Sequence, residues 1–373
     1  MKLSIFSMPT WDPSMGISQG EFMQSLVDHL ASAENLGFET IWVNEHHFDP
    51  LGGMAPALSP ILAALSSRTR LAWLGTSTVL LPLHHPLQVA EELAMVDLLS
   101  GGRLEFGVGR GFVAHDYDVL DVPLEEARER FVEALEVILK AWTGEPFSHD
   151  GRFYQFQDLL LWPQPEQRPH PPVWIACTSN PESFQWTGVQ GYKLLIIPFA
   201  RPVERLAGLT RIYRDAWSAA GHSGAYEIGA HYHVVVGEDR EETRKTAEAA
   251  LALQVRMMYE IQRLSASSAW SGFEELTLER LVDEGRLIAG NPDDCVRLIQ
   301  KVQSEIGFTC LNCTFQFGGI SFPRAQRSME LFAAEVAPRL APTPAGVGGR
   351  ARRSLPPGGG GESSVPSPLR GGG

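Results

Sequence analysis

Glu45, His46 and His47 stand together at the end of a short apolar run, in ETIWVNEHHFD (residues 39–49). A carboxylate beside two imidazoles can move protons near neutral pH, whereas an imidazole desolvated without a partner costs free energy. Such a group is therefore either a hydrogen-bonded structural pair or part of a site in which His46 transfers protons and Glu45 orients it. Three other stretches carry chemistry. GTSTVLLPLHHP (75–86) puts the hydroxyls of Thr76, Ser77 and Thr78 before a proline-bounded turn. GVGRGF (107–112) has three glycines that permit close backbone approach, Gly109 among them, and Arg110 offers several donors to a phosphate. ACTSNPES (176–183) sets Thr178 and Ser179 ahead of Asn180 and Pro181 at a helix start, a place that either cradles an anion or caps the helix.

Other chemistries find less support. No GxGxxG follows the first strand, so a nicotinamide-binding dinucleotide fold is not indicated. Cys310 and Cys313 have CxxC spacing, but FTCLNCTF alternates like a strand and would point the two sulfurs to opposite faces. With no second CxxC, no metal is expected. The net charge of −13 argues against nucleic acid as the partner. No run approaches the ~20 apolar residues of a membrane span, and the amino end does not read as a secretory signal, so a cytoplasmic protein is expected.

These segments need a scaffold, and the hydropathy pattern supplies one. Strands are expected at Lys2–Met8, Thr40–Val43, Arg70–Leu80, Arg103–Val108, Val173–Ala176, Lys193–Ile197, Ile228–Val236 and Thr309–Phe315. Helical periods fall between them, for example Glu21–Leu36, Pro86–Leu99 opened by its proline, and Leu124–Trp142. Eight alternations favour a closed (β/α)8 barrel, an α/β TIM barrel with insertions at its carboxyl face. The candidate residues all lie at the carboxyl ends of expected strands, where barrels build their sites. Thr143–Pro172 reads as a long excursion whose Phe153, Tyr154, Phe156 and Trp162 need packing partners, and Met257–Leu287 shows no clean period. Residues 1–340 form the expected domain. Residues 341–373, rich in Gly, Pro and Ser, read as a disordered tail whose few arginines make a weak case for phosphate binding.

GFETIWVNEHHF, GTSTVLLPLHHP, SGGRLEFGVGRGF, PPVWIACTSN and NPDDCVRLIQ, taken in this order, resemble the bacterial luciferase-like flavin monooxygenase family, and particularly its alkanal-oxidising alpha subunits. The resemblance implies a (β/α)8 barrel, often dimeric, that uses reduced FMN (FMNH2) from a separate NAD(P)H flavin reductase to activate O2 as a flavin C4a-(hydro)peroxide. It implies that His46 matches the family's catalytic histidine and His47 the histidine after it. Arg110 and Ser179 match phosphate contacts, and Ser77-Thr78 matches a non-prolyl cis peptide beneath the flavin ring. Gly109 stands where luciferase has a cysteine beside the flavin, and Thr178 where it has a glutamate, so light emission and a long-chain aldehyde are not implied. A medium or bulky organic substrate, free or carrier-bound, is expected instead, oxygenated by hydroxylation or Baeyer-Villiger insertion, in a homodimer built through helices flanking the early strands. Alternatives are F420-dependent hydride transfer and a non-catalytic subunit of a luciferase-like pair.

Overall fold

Eight parallel strands close on themselves in chain order: β1 (Lys2–Ser7), β2 (Thr40–Val43), β3 (Trp73–Thr76), β4 (Leu104–Gly109), β5 (Val173–Ala176), β6 (Lys193–Ile196), β7 (Ile228–Val236) and β8 (Cys310–Thr314). The computed structural model describes residues 1–49, 51–264 and 276–340. Ser4 pairs with Thr40 across β1 and β2, Leu194 with Ile228 across β6 and β7, and Lys2 with Cys310 across β8 and β1, which completes the ring. The expected (β/α)8 barrel is therefore present.

Two layers fill the barrel from its amino end. Lys2, Glu105, Lys193 and Glu227 form an ion network there, with Glu227 2.6 Å from the Lys2 ammonium and 2.7 Å from that of Lys193. Above them Phe6, Trp42, Trp174, Leu195 and Cys310 pack together. Outside, helices cover the strands with their apolar stripes. Gln19–Ser32 begins at a capping box of Ser18 and Glu21, which satisfies orphan N–H groups, and buries Phe22, Leu26 and Leu30. Pro86–Ser100 stops at Gly101, whose positive φ of 70° suits a residue without a side chain.

Cys310 faces the interior while Cys313 joins the outer core, as strand alternation requires, and all four cysteines are free and buried. The third strand is shorter than expected. Glu34 accepts from the backbone N–H groups of Arg70, Leu71 and Ala72, so that segment is drawn to a carboxylate, and after Ser77-Thr78 only Val79–Leu80 pairs again, with β4. The excursion contains an antiparallel hairpin, Phe147–Asp150 with Gln155–Leu159. Tyr154 is buried and Phe153 lies between the guanidinium groups of Arg130 and Arg152, but Trp162 is 71% exposed, contrary to the expectation that it packs.

The aperiodic reading of Met257–Leu287 also needs correction. The helix begun at Arg240 runs to Leu264, and Leu278–Asp283 forms a further helix capped by Thr277. A short strand, Ile288–Gly290, then extends β7 on its outer edge. The expected tail lies outside the described residues, as does part of this segment. No described helix is long and apolar enough to cross a membrane.

Candidate active site

The carboxyl ends of β2 to β5 surround a cleft lined by Glu45, His46, Ser77, Thr78, Gly109, Arg110, Thr178 and Ser179. Eight of the ten candidate residues thus meet in one place. Thr76 is held back: its hydroxyl donates to the Gly107 carbonyl at 2.7 Å and accepts from the Gly107 N–H at 2.8 Å, which stitches β3 to β4. His47 turns away from the cleft. Glu45 accepts from Nε2 of His47 at 2.9 Å and from Nε2 of His84 at 2.8 Å, and these three side chains form the one cluster with metal-ligand character among the described residues. Burial pushes the Glu45 carboxyl up, yet the two imidazole donors outweigh it and hold it lowered; His84 is raised by the same carboxylate against its own burial.

Glu45 therefore orients the second histidine of the pair, not the first. His46 is placed by Asp49, whose carboxylate lies 3.6 Å from Nδ1, an ion-pair separation beyond hydrogen-bond reach. Burial alone would depress the His46 imidazole, but Asp49 and then Asp116 outweigh it and its pKa is raised. Asp116, itself pushed up to about 6 chiefly by burial, lines the cleft from the helix Ala114–Val119. Gly52 makes room for the ring, since a Cβ there would stand 2.8 Å from Cδ2 of His46.

The cleft floor is a hydrogen-bonded backbone. The peptide between Ser77 and Thr78 is cis, as the resemblance implies. Asn44 Nδ2 donates to the Ser77 carbonyl at 2.6 Å, and Ser77 Oγ shares a hydrogen bond of 2.9 Å with Nε2 of His231. His231, lowered to about 3 by burial and then by His233, is a neutral ring at all physiological pH. Gly109 lies against this floor: a Cβ there would meet Thr78 Oγ1 at 2.5 Å.

At the rim Arg110 is exposed and makes no ion pair among the described residues. Asn180 caps the helix Pro181–Val189 by accepting from the Glu182 N–H at 2.9 Å, so capping does not consume Thr178 or Ser179. One end of the cleft thus offers a free guanidinium and two hydroxyls to an anion, and the other an imidazole between two carboxyl groups. Asn44, Asp49, Asp116 and His231 were not singled out by the sequence. His231 gave one signal, an imidazole two positions before a second one, His233, in a largely apolar strand. Asp116 gave none, because its partner is 70 positions away.

Comparison with known proteins agrees with this geometry. Residues 1–310 match the family model for luciferase-like monooxygenases. Limonene 1,2-monooxygenase of Rhodococcus erythropolis is 29% identical over 322 residues, 84% of this chain and 80% of its own. The alkanal monooxygenase alpha chain of Photobacterium leiognathi is 25% identical over 87% of this chain and 95% of its own. The crystal structure of monooxygenase RslO1 from Streptomyces bottropensis superposes with a TM-score of 0.80 at 31% identity, covering 91% of this chain and 99% of that one. The chain belongs to the luciferase-like monooxygenase family, and it is a flavin-dependent monooxygenase acting on an organic substrate.

Proposed function

We propose a two-component oxygenase that takes FMNH2 from a separate NAD(P)H flavin reductase, with O2 as co-substrate. The observation that carries the assignment is the placing of Arg110, which has no ion pair among the described residues, with Thr178 and Ser179 in a cleft whose floor at Gly109 has no room for a side chain. These are the demands of a flat cofactor with a terminal phosphate: charge-assisted donors at one end and a side-chain-free floor beside the ring. Reduced FMN held there would supply the activation of oxygen.

The chain's own residues supply the rest. Arg110, Thr178 and Ser179 would hold the phosphate, and Ser77, Thr78 and Gly109 would lie beside the ring. His46 holds or accepts a proton at its imidazole, its charge governed by Asp49 and Asp116. Leu80, Phe112, Val113 and Ile175 give the cleft apolar walls that suit a medium or bulky organic substrate. Hydroxylation and Baeyer-Villiger insertion differ in whether the transferred oxygen acts as electrophile or nucleophile, and the proton state of His46 bears on that choice.

Rapid mixing of the FMNH2-loaded protein with O2, followed by mass spectrometry with 18O2, tests the reading. One labelled oxygen atom in product is expected. His46→Ala should lose about 10²-fold or more in turnover while keeping FMNH2 affinity, and Arg110→Ala should lose affinity first. Hydride transfer from F420 in preference to any oxygenation would replace this reading.

A further inference from the structure

The turn after β6 gathers charge that the proposed chemistry does not use. Ile197, at its start, lines the cleft. Pro198–Ala200 then form one tight turn whose carbonyls seat two arginines. Arg286, 6% exposed, donates to the Phe199 carbonyl from Nε at 3.1 Å and from Nη2 at 2.7 Å. Arg201 donates to the next carbonyl, that of Ala200, at 2.8 Å. Arg205 projects from the first turns of the helix Val203–Ala219, whose amino end has no side-chain cap. The Phe199 ring packs on His233 at 4.9 Å, two positions along β7 from the cleft-lining His231, so this turn is continuous with the cleft wall.

The charges do not cancel. Glu284 pairs with Arg286 at 2.9 Å and with Arg280 at 2.8 Å. Arg201 and Arg205 have no carboxylate partner among the described residues, and the exposed Glu204 between them forms no ion pair with either. Burial and then the nearby Arg205 and Arg286 lower the proton affinity of Arg201, and no carboxylate restores it. In a chain of net charge −13 this is an unusual place to crowd cations. The repulsion is relieved by an anion held between them, and a guanidinium fork fits phosphate and carboxylate oxygens alike.

We propose that Arg201 and Arg205, backed by Arg286 and by the amino-end N–H groups of the helix Val203–Ala219, form an oxyanion site on the turn that follows the cleft-lining Ile197, and that it takes a phosphate or carboxylate group of the organic substrate. The inference rests on reading the cleft as the oxygenase site, and it narrows the substrate class to anionic molecules whose charged end stays at the rim while the reacting end lies within. Arg286 is buried and locked, so it serves as backing charge. Arg205 is exposed, and Arg201 is half-buried and held by its one bond to the Ala200 carbonyl, so that both side chains can turn to the ligand.

Inorganic phosphate and acetate, titrated separately by calorimetry into the full-length protein saturated with FMN, test the site. The wild type, the double variant Arg201→Gln/Arg205→Gln and Arg110→Gln are compared. Saturable binding of at least one anion to the wild type is expected, weakened about tenfold or more in the double variant and kept in Arg110→Gln. Stronger binding of phosphate assigns a phosphorylated substrate, and stronger binding of acetate a carboxylate. No saturable binding of either anion, equal binding by the double variant, or loss in Arg110→Gln overturns the proposal. FMN affinity measured on the same samples keeps the two readings apart. A wild type that fails to bind FMN sinks the oxygenase assignment, while the anion titration is still read on the FMN-free protein.

Discussion

Asp49 holds its carboxylate 3.6 Å from Nδ1 of His46, and both of its oxygens are buried without a hydrogen bond. A buried carboxylate left unsatisfied is costly, and the imidazolium is the group that compensates it. His46 therefore contributes stability that is fully present below the ordinary imidazole pKa and is lost as pH rises through its elevated folded value. Asp49→Asn keeps the shape and removes the charge. Its expected effects are a lower His46 pKa by NMR titration and, with neutral His46 as proton acceptor, an acid limb of kcat/KM displaced to lower pH. A limb that stays in place removes Asp49 from control of the histidine.

Gly109 and Thr78 form a second coupled pair. A methyl group at 109 would sit 2.5 Å from Thr78 Oγ1, and a threonine fixed on the cleft floor has no flexible stem with which to withdraw. Gly109→Ala should cost about 1–3 kcal/mol by overpacking and weaken FMN binding. Adding Thr78→Ala deletes the clashing oxygen, so the double variant should recover much of the loss in a thermodynamic cycle. Additive penalties would show that the glycine is needed for backbone reasons instead.

The barrel and most of the cleft were legible because strand ends are set by local pattern: four short motifs, each closing an apolar run, land at one rim. What lay beyond the sequence is what folding decides between distant positions. The pairing of Glu45 with His47 and His84, and not with His46, depends on which way each residue leaves β2, and neighbouring positions in an extended chain point to opposite sides. The break of the third strand depends on Glu34, 36 residues from Arg70, reaching its backbone. Residue type alone predicts that Trp162 packs, yet it is exposed to solvent. Long-range partners and surface projection leave little trace in local periodicity.

The helix Pro86–Ser100 is apolar on more sides than the barrel can cover. Leu93, Ala90 and Val89 are buried against the core, while Met95, Leu98 and Leu99 remain 52%, 44% and 62% exposed. An apolar patch of this kind suits the homodimer that the family resemblance leads one to expect, since this helix flanks the early strands. Leu99→Asp should place an uncompensated charge in that contact and give a monomer in mass photometry, with the circular dichroism of the fold unchanged. A wild type that is already monomeric at micromolar concentration would dispose of the interface.

At the opposite end of the barrel from the cleft, Glu227 bridges Lys2 and Lys193, and Lys193 also lies 4.7 Å from the Trp174 ring. Burial raises the Glu227 carboxyl, but Lys193 and Lys2 outweigh it and hold it lowered. Its contribution to stability is accordingly present above the ordinary carboxylate pKa and lost as pH falls through the lowered folded value. Glu227→Gln preserves volume but takes from Lys2 its carboxylate partner and leaves Lys193 only Glu105 at 3.7 Å, and breaking a buried pair from one side costs about 3–5 kcal/mol. A lower urea midpoint near neutral pH is therefore expected, with a gap to the wild type that narrows in acid. Because the network lies below the packed layer of Phe6, Trp42, Trp174 and Leu195, FMN affinity should not change. Equal loss of stability and of FMN binding would mean that the two ends of the barrel are coupled through that layer.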